Sequence, residues 1–327
     1  MLALGLLLLA VAAALWLIPS RQYIFLPDRA HPVAPLVEVA GGHDPKDGGG
    51  IYFVDVVVRK ASLLERIFGG LHDGADLYPA SRVVPPGVSG SQQSDVDAAE
   101  MRTSQRVAAA VALRALGRKV AAVPDGALVT GVQPGLPAEG RLLPTDVITA
   151  VDGRTVSSPD DVTRSMRGRE PGDRVRFTVR RGRRRVTVEL RTVAAAGDGR
   201  RAVVGIFLAQ SERIDLPVRV SIDSRGVGGP SAGLAFALDV LEELGRNVDH
   251  GHRIAATGEL FLNGDVGPIG AIKQKTIGAR EAGVDAFLVP AGQNARDARK
   301  YARGLRIIPV KSFQQALRAL ATLSGTE

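Results

Sequence analysis

Two short segments of this 327-residue chain carry side chains suited to acyl transfer. Residues 226–236 read GVGGPSAGLAF and put Ser231 just behind a Gly-Gly-Pro turn, at the mouth of an apolar helix. Residues 267–276 read GPIGAIKQKT and put Lys273 and Lys275 early in a later helix. A serine hydroxyl is a poor nucleophile until a base takes its proton, and a neutral lysine amine can be that base. Neutrality near pH 7 requires that burial or a neighbouring cation lower the lysine pKa. Ile272, Ile277 and Ala279 give this helix an apolar side toward which a lysine can turn. Lys273 and Lys275 are two positions apart and point in different directions, so at most one faces inward. Lysines on a solvated face are the commoner case.

Gly228, Gly229 and Pro230 let the chain turn sharply into the helix. A helix start leaves backbone N–H groups unpaired and carries partial positive charge, which suits an oxyanion formed at Ser231. Ser231 in an isolated PSAG would serve equally as an N-cap. Gly229, Ser231 and Gly233 also satisfy the G-x-S-x-G elbow of α/β-hydrolases. That elbow needs a strand running directly into the serine, and SRGVGGP intervenes. A Ser-His-Asp triad would call on His250 or His252 with Asp239 or Asp249, and both histidines lie in the turn-like NVDHGHR.

Other chemistries find little support. The chain has no cysteine, which excludes disulfides, thiolate catalysis and Cys-zinc sites. Its five histidines are scattered, there is no Walker A sequence, and GVGGPS lacks the last glycine of a dinucleotide fingerprint. No cofactor and no metal are expected. The formal net charge is +8. Arg180, Arg181, Arg183, Arg184 and Arg185 cluster around Gly182, but no interleaved aromatics or recognition helix accompany them. The cluster reads as a solvated hairpin tip, with anionic headgroups as an alternative contact. No nucleic-acid partner is expected.

The elements that must position these residues form a multi-domain α/β chain. Residues 1–18, MLALGLLLLAVAAALWLI, are an uninterrupted apolar run of the length that spans a bilayer, with Trp16 at interface depth. Ala12, Ala13 and Ala14 allow signal-peptide cleavage, yet the run continues past them and no charged n-region precedes it, which favours an uncleaved anchor. The expected domains are a transmembrane helix at 1–19 and a small mixed region at 20–117. Within the latter, 51–58 (IYFVDVVV) reads as one strand, 41–50 as loop, 86–94 as linker, and 95–116 as a helix ended by Gly117. Short strands with turns occupy 118–195, where Val175, Phe177 and Val179 share one face. An α/β pattern fills 203–325, with strands at 203–208, 218–222, 253–257, 286–289 and 306–309. Its helices fall at 231–244, 271–282, 294–302 and 313–322.

GPSAG around Ser231, TGE at 257–259 and GPIGAIKQK at 267–275 occur in one order at compatible spacing. Together they resemble the Lon-type serine protease domain, over about residues 203–325. The resemblance implies a Ser-Lys dyad of Ser231 and Lys275, with Thr257 positioning the lysine and Gly229 and Pro230 shaping the turn. Gly228 stands where Lon proper often has an acidic residue. GLPAEGRLLPTDVITAVDG, within 118–193, resembles a PDZ domain, a fold that accepts extended peptides as an added strand. With the N-terminal apolar helix, the whole resembles the bacterial membrane-anchored Lon-like PDZ proteins. That family implies a single-pass cell-membrane protein with its body outside the cytoplasm, although Arg21 after the helix mildly favours a cytoplasmic body. It also implies protein or peptide substrates and a homo-oligomer, since Lon-type domains commonly form rings. Because the sequence has no P-loop, proteolysis without ATP is expected.

Overall fold

The computed structural model describes residues 2–43, 48–84 and 90–323. Residues 44–47 of the expected loop and 86–89 of the expected linker lie outside the described residues, as do Met1 and 324–327. Residues 1–84, 104–118 and 218–327 form one compact unit, and 85–103 with 119–217 form a second.

The chain begins with α1 (Leu2–Leu17), followed by β1 (Pro19–Pro27), β2 (His31–Pro32), β3 (Val37–Val39), β4 (Gly50–Phe53) and β5 (Val56–Ser62). Next come α2 (Leu63–Ile67), β6 (Asp76–Pro79), α3 (Ala80–Val83) and α4 (Gly90–Ala115). β5, β1 and β6 make an antiparallel sheet in that order. Gly117, at φ +74°, takes the left-handed conformation that closes the C-terminus of α4.

The transmembrane expectation is corrected here: no helix among the described residues is long and apolar enough to cross a membrane. α1 has 16 residues, or about 24 Å at 1.5 Å per residue, against about 30 Å of hydrocarbon. The apolar run reads longer because Ile18 belongs to it by composition but not to the helix. Pro19 opens β1 and pairs with Ser62, and the Ile18 carbonyl accepts from the Leu63 N–H. The single-pass, extracytoplasmic placement falls with the span.

IYFVDVVV is also not one strand. It divides at Val54-Asp55 into β4, which joins a parallel sheet, and β5, which pairs with β1. Composition does not reveal this break, because both halves are apolar enough to be strands.

The second unit holds β7 (Ala121–Val132), β8 (Val147–Val151), β9 (Arg154–Thr155), α5 (Pro159–Met166), β10 (Arg174–Arg181), β11 (Arg184–Arg191), β12 (Val193–Ala195), β13 (Asp198–Val203) and β14 (Ile206–Asp215). The sheet runs β11-β10-β8-β7-β14, with β9 on β8. Val175, Phe177 and Val179 are fully buried, as their alternation requires, and pack with Ile148, Val151, Leu142 and Val162 of α5. The strand expected at 203–208 is divided: Val203 ends β13, and 206–208 open β14, whose ten residues pair with β7. Two of the clustered arginines are not free at the hairpin tip. Arg181 makes two bonds to the buried Asp146 carboxylate, at 2.7 and 2.6 Å, and Arg180 pairs with Asp125 at 2.6 Å.

The chain returns to the first unit through β15 (Val220–Ile222), a 3-10 turn at Pro230–Ala232 and α6 (Gly233–Glu243). Then come β16 (Arg253–Ala256), β17 (Glu259–Leu260), β18 (Val266–Gly267), α7 (Ile272–Glu281), β19 (Ala286–Pro290), α8 (Gln293–Tyr301), β20 (Arg306–Val310) and α9 (Phe313–Ala321). The sheet order is β2-β4-β16-β19-β20, parallel except at β2. Its neighbour to β16 thus comes from residue 50 onward, far upstream of the segment that carries the serine. α6 is buried along its whole length, as expected of a helix that is apolar on all sides. Phe236 on α6 sits 6.2 Å, ring to ring, from Phe53 on β4, and each such side chain contributes about 2–3 kcal/mol by leaving water.

Candidate active site

Three elements of the parallel α/β unit converge on one amine. α6 is fixed by burial, so the 3-10 turn before it is fixed too. Gly229, with φ +81° and ψ 162°, takes a conformation that other residues strongly avoid, and Pro230 starts the turn. Ser104 Oγ on α4 donates to the Pro230 carbonyl at 3.1 Å, tying the turn down from outside. The Ser231 carbonyl accepts from the Gly258 N–H at 2.8 Å and from Thr257 Oγ1 at 3.1 Å. These bonds fix the backbone from which the Ser231 side chain projects.

Ser231 Oγ lies 2.6 Å from Lys275 Nζ. The amine also donates to the Val54 carbonyl at 3.0 Å and reaches Thr257 Oγ1 at 3.4 Å. Lys275 is 5% exposed. Burial in this setting lowers its pKa from the ordinary 10.5 to about 8, and the nearby Asp55 carboxylate opposes the drop. A substantial neutral fraction of the amine is therefore available just above neutral pH. The pair has the contact distance and the protonation chemistry of a nucleophile and its general base.

Lys273 turns elsewhere. Its ammonium binds Asp76 Oδ1 at 2.7 Å and the Ala75 carbonyl at 3.2 Å, and it lies over the Tyr301 ring. Gln274 adds a bond to the second Asp76 oxygen at 2.8 Å. Of the two lysines, Lys275 is the one brought to Ser231. Neither histidine of the alternative triad is bonded to the serine: His252 lies 3.7 Å from Asp285, and His250 is exposed, its backbone N–H donating to Asn247 Oδ1. Asp239 is buried in α6, where burial and the neighbouring Glu243, Glu242 and Asp249 push its pKa up to about 8.

Sequence reasoning missed Val54, Asp55 and Ser104. The signal for the first two was a lone carboxylate inside an apolar run, which invited reading as one continuous strand. Ser104 sits in the middle of a helix with no local hint of its partner 126 positions on. Among the described residues, one group of three ligand-type side chains is close enough to share a cation: Asp28, His31 and Asp55. In it His31 Nε2 lies 3.5 Å from Asp28 and 3.8 Å from Asp55.

The comparisons define the class. Residues 114–192 match the PDZ domain family, and residues 201–322 match the Lon protease (S16) C-terminal proteolytic domain. The C-terminal region is thus a Lon-type serine peptidase domain, preceded by a PDZ domain. Lon protease 1 of Myxococcus xanthus is 33% identical over 127 residues, which is 38% of this chain and 15% of that protein. Lon protease 2 of Bacillus subtilis is 33% identical over 114 residues, covering 35% of this chain and 19% of that protein. The chain therefore spans under a fifth of the length of these curated relatives. The PDZ domain of the SdrC-like protein from Listeria monocytogenes is similar at 26% identity, covering 26% of this chain and 88% of that chain, with a TM-score of 0.25.

Proposed function

We propose that this protein is a serine endopeptidase acting on protein or peptide substrates through a Ser231–Lys275 dyad. The observation that carries the reading is the 2.6 Å contact between a serine hydroxyl and a buried lysine of lowered pKa. Ser231 Oγ bonds to the scissile carbonyl carbon as its proton passes to Lys275 Nζ. The tetrahedral adduct collapses as the Lys275 ammonium gives its proton to the departing amine. The neutral lysine then takes a proton from water, which attacks the acyl-enzyme and releases the second product. Thr257 positions both partners, holding the Ser231 carbonyl and reaching the lysine. Gly229 and Pro230 set the turn.

Within this reading the boundaries are a PDZ domain at 118–195, which binds or gates extended substrates, and a proteolytic domain at 203–325 completed by strands from 20–117. No step above calls for a nucleotide, so peptide cleavage by this chain proceeds without ATP. The test is a fluorophosphonate serine probe with mass-spectrometric mapping, run beside cleavage of an unfolded protein with and without ATP. Labelling at Ser231 and cleavage independent of ATP are expected. Absence of both in folded protein would leave a binding scaffold.

A further inference from the structure

We propose that Asp55 is a positioning residue for Lys275, its carboxylate supplying the counter-charge that keeps the ammonium formed during acyl transfer inside the site. The inference rests on the Ser231–Lys275 reading and extends it to a group that neither the sequence motifs nor the comparisons single out. Its basis is the split of the 51–58 run. β4 ends at Phe53, and β5 begins at Val56 in a different sheet. The two residues between must leave one sheet and enter the other. Val54, 1% exposed, spends that corner with its carbonyl on Lys275 Nζ at 3.0 Å. Asp55 follows directly.

Asp55 is half-buried in that corner. Its Oδ1 is shielded from solvent and has no hydrogen-bond partner among the described residues. A buried carboxylate oxygen without a partner is costly, so it calls for a charge nearby or a functional reason. The groups facing it are Asp28, His31 and Lys275. His31 Nε2 is 3.8 Å from Oδ1 and 3.5 Å from Asp28, and one ligand-type atom of each of Asp28, His31 and Asp55 lies within 4.8 Å of the other two. Asp28 is itself pressed against α7, since its carbonyl oxygen fills the space a side chain on Gly278 would need. The helix that bears the lysine is thus packed directly against the 28–31 loop that bears Asp28 and His31. Among the described residues, the charged group that acts on Lys275 is Asp55, and the amine meets the hydroxyls of Ser231 and Thr257 and the Val54 carbonyl.

The arrangement has a directional consequence. Burial alone lowers the lysine pKa, and Asp55 holds it up. Without Asp55 the amine would be neutral to lower pH but would accept the serine proton less readily. The dyad thus balances a large free-base fraction against adequate basicity.

The experiment measures kcat/KM against pH, from 5.5 to 10 or so, for the full chain carrying Asp55→Asn and Asp55→Glu. Asp55→Asn is expected to move the acid limb down by about one pH unit, which raises the neutral fraction at pH 7 roughly five-fold. Its plateau rate at high pH falls, and Asp55→Glu returns the limb toward the parent. An unmoved limb in folded Asp55→Asn protein would overturn the proposal, as would a plateau equal to the parent's. Fluorophosphonate labelling of Ser231→Ala and Lys275→Met proteins separates the two levels. If Lys275→Met still cleaves with the parent's limb, the dyad reading itself fails; if it is inactive while Asp55→Asn keeps the limb, only the Asp55 role fails. Should Asp55→Asn not fold, titration of Lys275 Nζ by NMR in Asp55→Ala and Asp55→Ser proteins supplies the readout. The lysine pKa should fall in both, because the carboxylate that holds it up is gone, and an unshifted lysine would count against the proposal.

Discussion

The Lys275 amine lies 3.0 Å from the Val54 carbonyl oxygen, a bond that joins residues 221 positions apart. It makes the N-terminal region part of the site. β4 pairs in parallel with β16, the strand that leads into Thr257, so the carbonyl that follows β4 arrives beside the lysine by sheet register. A proteolytic domain beginning near residue 203 would lack this wall of its own site.

Activity should rise with pH through about 8. The base must be neutral, and burial lowers the Lys275 pKa to about 8, so the working form is lost as pH falls below that value. A kcat/KM profile flat between pH 6 and 9 would contradict lysine as the base. Lys275→Met should remove cleavage, while Lys273→Ala should leave it within a few-fold, because Lys273 is occupied with Asp76.

Lys275→Met should also stabilise the fold at neutral pH. The folded-state pKa is depressed from 10.5 to about 8, so the unfolded chain binds more protons between those values and stability rises with pH across that window. Below pH 8 the full cost of burying the amine applies, up to about 3 kcal/mol for a shift of this size. Denaturant midpoints at pH 7 and pH 10.5 measure it. The stabilisation should be present at pH 7 and shrink at the higher pH.

Thr257→Val should lower kcat by about ten- to a hundred-fold with little change in KM, since a small misplacement of either partner is enough. Thr257 is fully buried, and its hydroxyl links the Ser231 carbonyl to the lysine. Thr257→Ser keeps the hydroxyl and should recover most of the rate. Equal losses in both variants would point to packing of the methyl group instead.

Gly278→Ala should be severely destabilising. A Cβ there would fall 1.7 Å from the Asp28 carbonyl oxygen, which is backbone and cannot rotate away. The expected cost is about 3 kcal/mol or more, read from chemical denaturation. A variant of parental stability would mean that the 28–31 loop can leave α7 freely.

The sequence made the chemistry legible before the architecture. Ser231, Thr257 and Lys275 stand in local motifs whose glycines and prolines announce turns, and the helices and strands after residue 253 follow ordinary periodicities to within a residue or two. Alternation placed Val175, Phe177 and Val179 on one buried face. Which of two adjacent lysines turns inward was not decidable from α7 alone; the family motif chose Lys275, and the fold seats it beside the serine because Asp76 occupies Lys273. The apolar run at the N-terminus misled, because hydropathy counts residues while helix length depends on where a proline and a paired strand end it. IYFVDVVV misled for a related reason: composition says that a stretch prefers strand, not which sheet will take it. The sequence alone determined the candidate nucleophile, the local turns and the binary pattern, since these depend on neighbours a few positions apart. The tertiary structure decided the lysine's neutrality, its Val54 acceptor and its Asp55 counter-charge, because desolvation and Coulomb interaction depend on distance in space, and that distance is set only when the sheet closes.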